Sequence, residues 1–119
     1  MDIEQIREYA LKKEFVTECM PFDDEIPVFK VYDKIFLLMN LRPPYSINLK
    51  CDPERALMLR EEHEEIVPGY HMNKQHWNTV YVEGTIPAAL FREMIDHSYT
   101  LVLNSIPKSK RGKSGAKQK

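Results

Sequence analysis

Glycine is scarce in this chain of 119 residues: there are four, and no two are closer than three positions apart. A loop that cradles phosphate through backbone N–H groups needs a glycine-rich run, so the P-loop and the dinucleotide fingerprint are excluded. Cysteine is scarcer still, with Cys19 and Cys51 far apart and no Cys-x-x-Cys spacing. They read as free thiols of a reducing compartment, not as a disulfide framework or a zinc ribbon. Long apolar runs are absent, the longest being the five residues Ile35 to Met39. The first twenty residues alternate charged with apolar positions, so neither a signal peptide nor a membrane span is expected, and the cytoplasm is the expected location. Neither cysteine has a neighbouring base that would mark a nucleophile, and the acidic pairs of the predicted helices read as solvated faces. No enzyme activity and no cofactor are expected.

Charge is present in both signs but unevenly placed. The chain carries 17 basic and 18 acidic residues. Six of the basic ones, Lys108, Lys110, Arg111, Lys113, Lys117 and Lys119, fall in the last twelve residues, which hold no acid. Setting those six aside leaves 11 basic against 18 acidic residues, a body at net −7 with a basic tail. Lys, Ser, Gly and Gln dominate that tail and leave it nothing to bury, so 1–107 is predicted as one domain and 108–119 as a disordered extension.

Periodicity predicts the elements. Ile3, Ile6, Ala10 and Leu11 share one face of a helix over Asp2 to Lys13, with Asp2 and Gln5 spaced as a capping box. Thr17 to Pro27, with two prolines and an acidic run, reads as a loop. Strands are predicted at Val28 to Tyr32, Ile35 to Asn40 and Tyr45 to Lys50, the first two joined by a tight turn, with Pro43-Pro44 outside any central strand. Asp52-Pro53 supplies an N-cap and a first-turn proline for a helix to about His63. Ile66-Val67 reads as a short strand and Thr79 to Glu83 as a longer one. Leu90, Phe91, Met94, Ile95, Ser98, Leu101 and Val102 form the stripe of a helix over Pro87 to Ser105. The order α-β-β-β-α-β(β)-α predicts an α+β fold, a two-layer sandwich of antiparallel sheet with helices on one face.

The densest chemistry lies in Pro68-Gly69-Tyr70-His71-Met72-Asn73-Lys74-Gln75-His76-Trp77-Asn78-Thr79, which holds two of the four histidines and the single tryptophan. His71 and His76 lack two further ligands at diagnostic spacing, so no metal is expected. Asn73 and Asn78 either cap turns or present amide edges, and Trp77 either packs on the sheet or offers a stacking surface. Asn73, Lys74 and His76 are predicted to be at least partly exposed and Trp77 at least half-buried.

Ile47-Asn48-Leu49-Lys50-Cys51-Asp52-Pro53, the Pro68 to Lys74 block, His76-Trp77-Asn78-Thr79-Val80 and Asp96-His97-Ser98-Tyr99 together resemble the MmcQ/YjbR family over nearly everything from Met1 to Pro107. That resemblance implies a two-layer fold with an antiparallel sheet, related in shape to the frataxin (CyaY-like) proteins and to type III secretion chaperones. It also implies DNA binding, with no catalytic residues to carry over. Two readings follow. In the first, Tyr70, His71, Asn73, Lys74, His76, Trp77 and Asn78 touch DNA, aided by Arg42, Lys50 and the tail cations Lys108, Lys110, Arg111 and Lys113. In the second, the same segment grips a peptide or partner subunit, as in a chaperone-like module. A monomer or weak homodimer is expected in either case. A basic groove containing Lys74 favours the first reading and an apolar concavity the second.

Overall fold

The computed structural model of the protein describes residues 1–69 and 72–111. Its elements are α1 (Ile3–Leu11), β1 (Val16–Cys19), β2 (Val28–Val31), β3 (Lys34–Asn40), β4 (Ser46–Lys50), α2 (Pro53–Glu62), β5 (Ile66–Pro68), β6 (Trp77–Tyr81) and α3 (Ala88–Ser105), followed by a short 3-10 turn at Lys108–Lys110. The predicted caps are in place. Asp2 accepts the Gln5 N–H at 2.8 Å while the Gln5 side chain accepts the Asp2 N–H, and the Asp52 carboxylate accepts the Arg55 N–H ahead of Pro53. Each satisfies backbone donors that the first helical turn leaves open.

The six strands form one antiparallel sheet in the order β1-β2-β3-β4-β6-β5. Helix α3 lies on β3 and β4, α1 leans on β1 and α3, and α2 covers β5 and β6. All three helices occupy the face that carries Phe29, Leu37, Leu49 and Val80, so the core is a single layer between helices and sheet. The α+β two-layer architecture read from the sequence is therefore the observed one. The stripe of α3 is buried at Phe91, Met94, Ile95, Ser98 and Val102. Ser98, the polar member, is fully buried; its Oγ accepts the Lys50 N–H at 2.8 Å and donates to the Phe36 carbonyl at 2.6 Å. It bonds to β3 at the irregularity where Phe29 pairs with Leu37 but Lys30 pairs with Ile35.

Two boundaries differ from the expectation. Residues Val16–Cys19 form an edge strand instead of part of a loop, because Phe15 turns the chain in the left-handed region at φ 66° and stacks on Tyr32 at 4.8 Å. Only Val16 of that strand is buried, so its apolar periodicity is faint. Strand β6 starts at Trp77, two residues before the predicted start, because its register on β4 continues to the Lys50–Trp77 pair. Beyond α3, Lys108–Lys110 form the 3-10 turn, and Arg111 donates to the carbonyls of Leu103 at 3.0 Å and Ile106 at 3.2 Å. A cation on the last carbonyls of a helix complements its dipole. Lys113 and the rest of the expected disordered extension lie outside the described residues.

Candidate functional site

The central motif joins β5 to β6, and its polar side chains are largely spent on holding that connection. The Gly69 N–H donates to the Trp77 carbonyl at 2.8 Å. A Cβ on Gly69 would stand 2.7 Å from the Trp77 Cβ, so only glycine allows the two strand ends to come this close. Asn73 accepts from the N–H groups of Gln75 and His76 at 2.9 and 3.3 Å, a side-chain turn that shapes the loop. The His76 carbonyl accepts the Cys51 N–H at 2.7 Å, which ties the loop to the start of α2. From α2, Arg60 reaches across to donate to Asn78 at 2.7 Å, to the Lys74 carbonyl, and to the Trp77 carbonyl at 3.4 Å.

Asn78 corrects the expectation that its amide is available for recognition. It is 2% exposed, and its Oδ1 is held by Arg60 while its Nδ2 faces the Ala56 carbonyl at 3.5 Å. A buried amide without partners would cost about 1–3 kcal/mol, so these bonds explain its presence in an apolar layer. Asn73 and Lys74 are exposed and His76 and Trp77 half-buried. Tyr70 and His71 lie outside the described residues.

The candidate cations do not form one groove. Lys50 lies opposite Trp77, close in the sheet to the loop that carries Lys74 and His76. Arg42 follows β3 at the opposite end, where it is paired with Glu25 and, at 3.5 Å, with Asp23. Lys108 and Lys110 are exposed, whereas Arg111 is taken up by the end of α3.

A large concavity lies on the sheet face that no helix covers. Register places Leu38, Asn40, Ser46, Asn48, Thr79 and Tyr81 on that face. Phe22 and Ile26 from the loop before β2, Pro43 and Pro44 from the connection between β3 and β4, and Met72 of the central motif complete its lining. The Pro43–Pro44 bond is cis. The cleft holds about 580 Å³, and among the described residues Arg42, already paired, is its one charged lining residue. On its floor the Thr79 hydroxyl donates to the Asn48 Oδ1. Apolar walls over a few polar groups are the usual make-up of a recognition pocket of this size. Except for Met72 and Thr79, these residues lie outside the segment that the sequence singled out. The alternation of Ser46, Asn48 and Lys50 with Ile47 and Leu49 was the available signal, and it reads equally as an ordinary solvated face.

Elsewhere the titratable groups are structural. Cys51 is buried, and burial pushes its thiol up to about 11, so it is protonated at neutral pH. His97 is held below the usual imidazole value of 6.5, first by burial and then by the Arg55 cation; its Nε2 accepts the Asp52 N–H at 3.1 Å. No group of three or more His, Cys, Asp or Glu positioned to hold a metal ion occurs among the described residues. No helix among them is long and apolar enough to cross a membrane.

A family model, YjbR, matches residues 11–101. The chain is 43% identical to the Escherichia coli O157:H7 protein YbdF over 106 residues, 88% of this chain and 87% of that one. It is 32% identical to YjbR of Escherichia coli K12 over 114 residues, 93% and 95% of the two chains. Among solved structures, the Deinococcus radiodurans protein DR2400 superposes with a TM-score of 0.86 at 39% identity, covering 95% of this chain and 87% of that one. A Pseudomonas syringae protein superposes at 0.76 with 30% identity, over 86% and 99%. The match of sequence over most of the chain and of fold over nearly all of it places this chain in the YjbR family.

Proposed function

We propose that the protein is a non-catalytic binding module that grips a protein segment by an apolar side chain, using the cleft on the helix-free face of its sheet. The observation that carries this reading is the cleft's lining. Phe22, Ile26, Leu38, Pro43, Pro44, Met72 and Tyr81 supply apolar surface, while the half-buried Asn48, its Oδ1 held by the Thr79 hydroxyl, offers its amide N–H groups to orient a backbone. Burying one Phe or Leu side chain there is worth about 1.5–3 kcal/mol. Two free cysteines, one of them fully protonated, suit work in a reducing cytoplasm.

DNA binding is the second reading, favoured by one observation: Lys50, Lys74 and His76 share one end of the sheet, and Lys108 and Lys110 are exposed. Against it stand a body at net −7 and the pairing of Arg42 with acid, since phosphate neutralisation dominates affinity for DNA.

Selection from a displayed random-peptide library against the immobilised protein, with Asn48→Trp as counter-target, separates the two. The module reading expects aromatic or long aliphatic peptides that the tryptophan-filled cleft no longer captures, bound with little dependence on salt. Duplex DNA titrated over a salt series gives the other arm. Each phosphate contact adds roughly −0.9 to the slope of log affinity against log salt. Under the DNA reading, deleting 108–119 weakens binding and flattens that slope, and Lys74→Ala causes a smaller loss. Salt-sensitive duplex binding without any cleft-dependent peptide would reverse the order of the two readings.

A further inference from the structure

We propose that the occupant of the cleft is a second copy of this chain, the two copies meeting across their helix-free sheet faces about a two-fold axis, each inserting Phe22 into the other's cleft. The inference rests on the cleft being a binding site, and it names the partner. A two-fold interface must be self-complementary, with knob and hole on the same patch. That condition is met here. Phe22 is 62% exposed, the highest figure among the large apolar side chains that stand open to solvent, and it rises on the rim of the cleft itself. Met20 and Tyr45, both exposed, flank the same rim in sequence: Met20 two residues before Phe22, and Tyr45 next to Pro44 and Ser46.

Charge sets the relative direction of the two copies. Asp23, Asp24 and Glu25 lie at the Asn40 end of β3, where the Leu41 N–H donates to the Glu25 carbonyl at 2.9 Å. Lys30 and Lys50 project from the same sheet face toward its opposite end, paired in register with Ile35 and Trp77. Neither lysine makes an ion pair among the described residues. Arg42 at that end pairs with Glu25 and Asp23, so three carboxylates stand against one guanidinium and Asp24 is left over; the face is thus net acidic at one end of its strands and carries unpaired lysines at the other. An axis running across the strands turns one copy end for end, so the acidic rim of each faces Lys30 and Lys50 of its partner. An axis along the strands would set acid on acid. Complementary ends fix orientation and exclude the parallel arrangement.

The area sets the strength. Six strands at about 4.8 Å spacing and about 17 Å length give a plane of roughly 500 Å² on each copy, about 1,000 Å² for the pair, which the flanking loops enlarge only in part. That lies below the range of stable interfaces and within that of weak, transient ones, so association is expected at about 10–500 µM protein.

Sedimentation equilibrium of the full chain over about 5–500 µM tests the proposal. Wild type should pass from one-chain to two-chain mass, and Phe22→Asp should weaken association at least about tenfold. Lys50→Glu should weaken it about three- to tenfold, and adding Asp24→Lys to Lys50→Glu should recover most of the loss by exchanging the charges across the interface. All three sites are exposed or half-buried, so melting curves should stay close to wild type. A one-chain mass at every concentration overturns the proposal, as does an association that Phe22→Asp leaves unchanged, or a double charge exchange no better than the single. If wild type stays monomeric while library peptides still bind in a manner lost in Asn48→Trp, the partner is wrong and the binding-module reading survives. If neither a second copy nor any peptide engages the cleft, both fall.

Discussion

Replacing Ser98 by alanine removes one oxygen atom from the centre of the protein and should cost far more than that volume suggests. The hydroxyl is fully buried on the apolar stripe of α3, where it accepts from the Lys50 N–H at 2.8 Å and donates to the Phe36 carbonyl at 2.6 Å. Alanine leaves a backbone donor on β4 and an acceptor on β3 facing a methyl group. A buried group left unsatisfied costs about 1–3 kcal/mol, so the loss of both bonds is expected to total about 2–4 kcal/mol. For a domain of this size a change of 1 kcal/mol moves Tm by about 4–8 °C. Ser98→Ala should therefore melt at least about 8 °C below wild type and lower the urea midpoint with the m-value unchanged. Thr100→Ala, on the exposed side of the same helix, serves as the control and should shift stability by less than about 0.5 kcal/mol. A Ser98→Ala protein within about 0.5 kcal/mol of wild type would refute the reasoning, because it would show that neither strand depends on that hydroxyl.

Phe91→Ala, which empties a fully buried site under the sheet, should cost about 3–5 kcal/mol by urea denaturation, and an unchanged midpoint would place the stripe in solvent. In native protein at pH 8, alkylation by iodoacetamide should mark Cys19 well before Cys51, whose buried thiol stays protonated up to about 11; equal rates in the folded state would contradict that burial. His97 is held below 6.5 when folded, so the unfolded chain takes up its proton first as the pH falls. The contribution of His97 is full above 6.5 and lost as the pH drops through the folded value. Stability should fall more steeply from pH 7 to 5 in wild type than in His97→Gln, and identical profiles would remove His97 from the account.

What the sequence made legible was whatever one element could encode alone. Asp2 with Gln5, and Asp52 with Pro53, mark helix starts because capping is a contact between neighbours in the chain. The α3 stripe is visible because one helix carries all of it. Strand β1 is hidden because a single buried residue, Val16, sets no period and because Phe15 makes a turn that usually calls for glycine or asparagine. Asn78 was misread because a polar side chain in a dense motif looks the same whether it meets a ligand or, as here, Arg60 from a helix eighteen residues away. The cleft draws Phe22, Asn48, Thr79 and Tyr81 from three separate stretches that only the sheet register brings together. Met72 and Thr79 connect it to the segment that the sequence singled out.

The central claim is that recognition happens on the helix-free face, and the six methionines report on it directly. Protein labelled with ¹³C at the methionine methyl groups should be titrated with the most enriched library peptide while its spectrum is followed. Met72, on the lip of the cleft, should shift most and Met20 beside Phe22 should follow, while exposed Met58 on α2 stays in place. A Met58 shift with Met72 unmoved would contradict the account and move the site to the helical face.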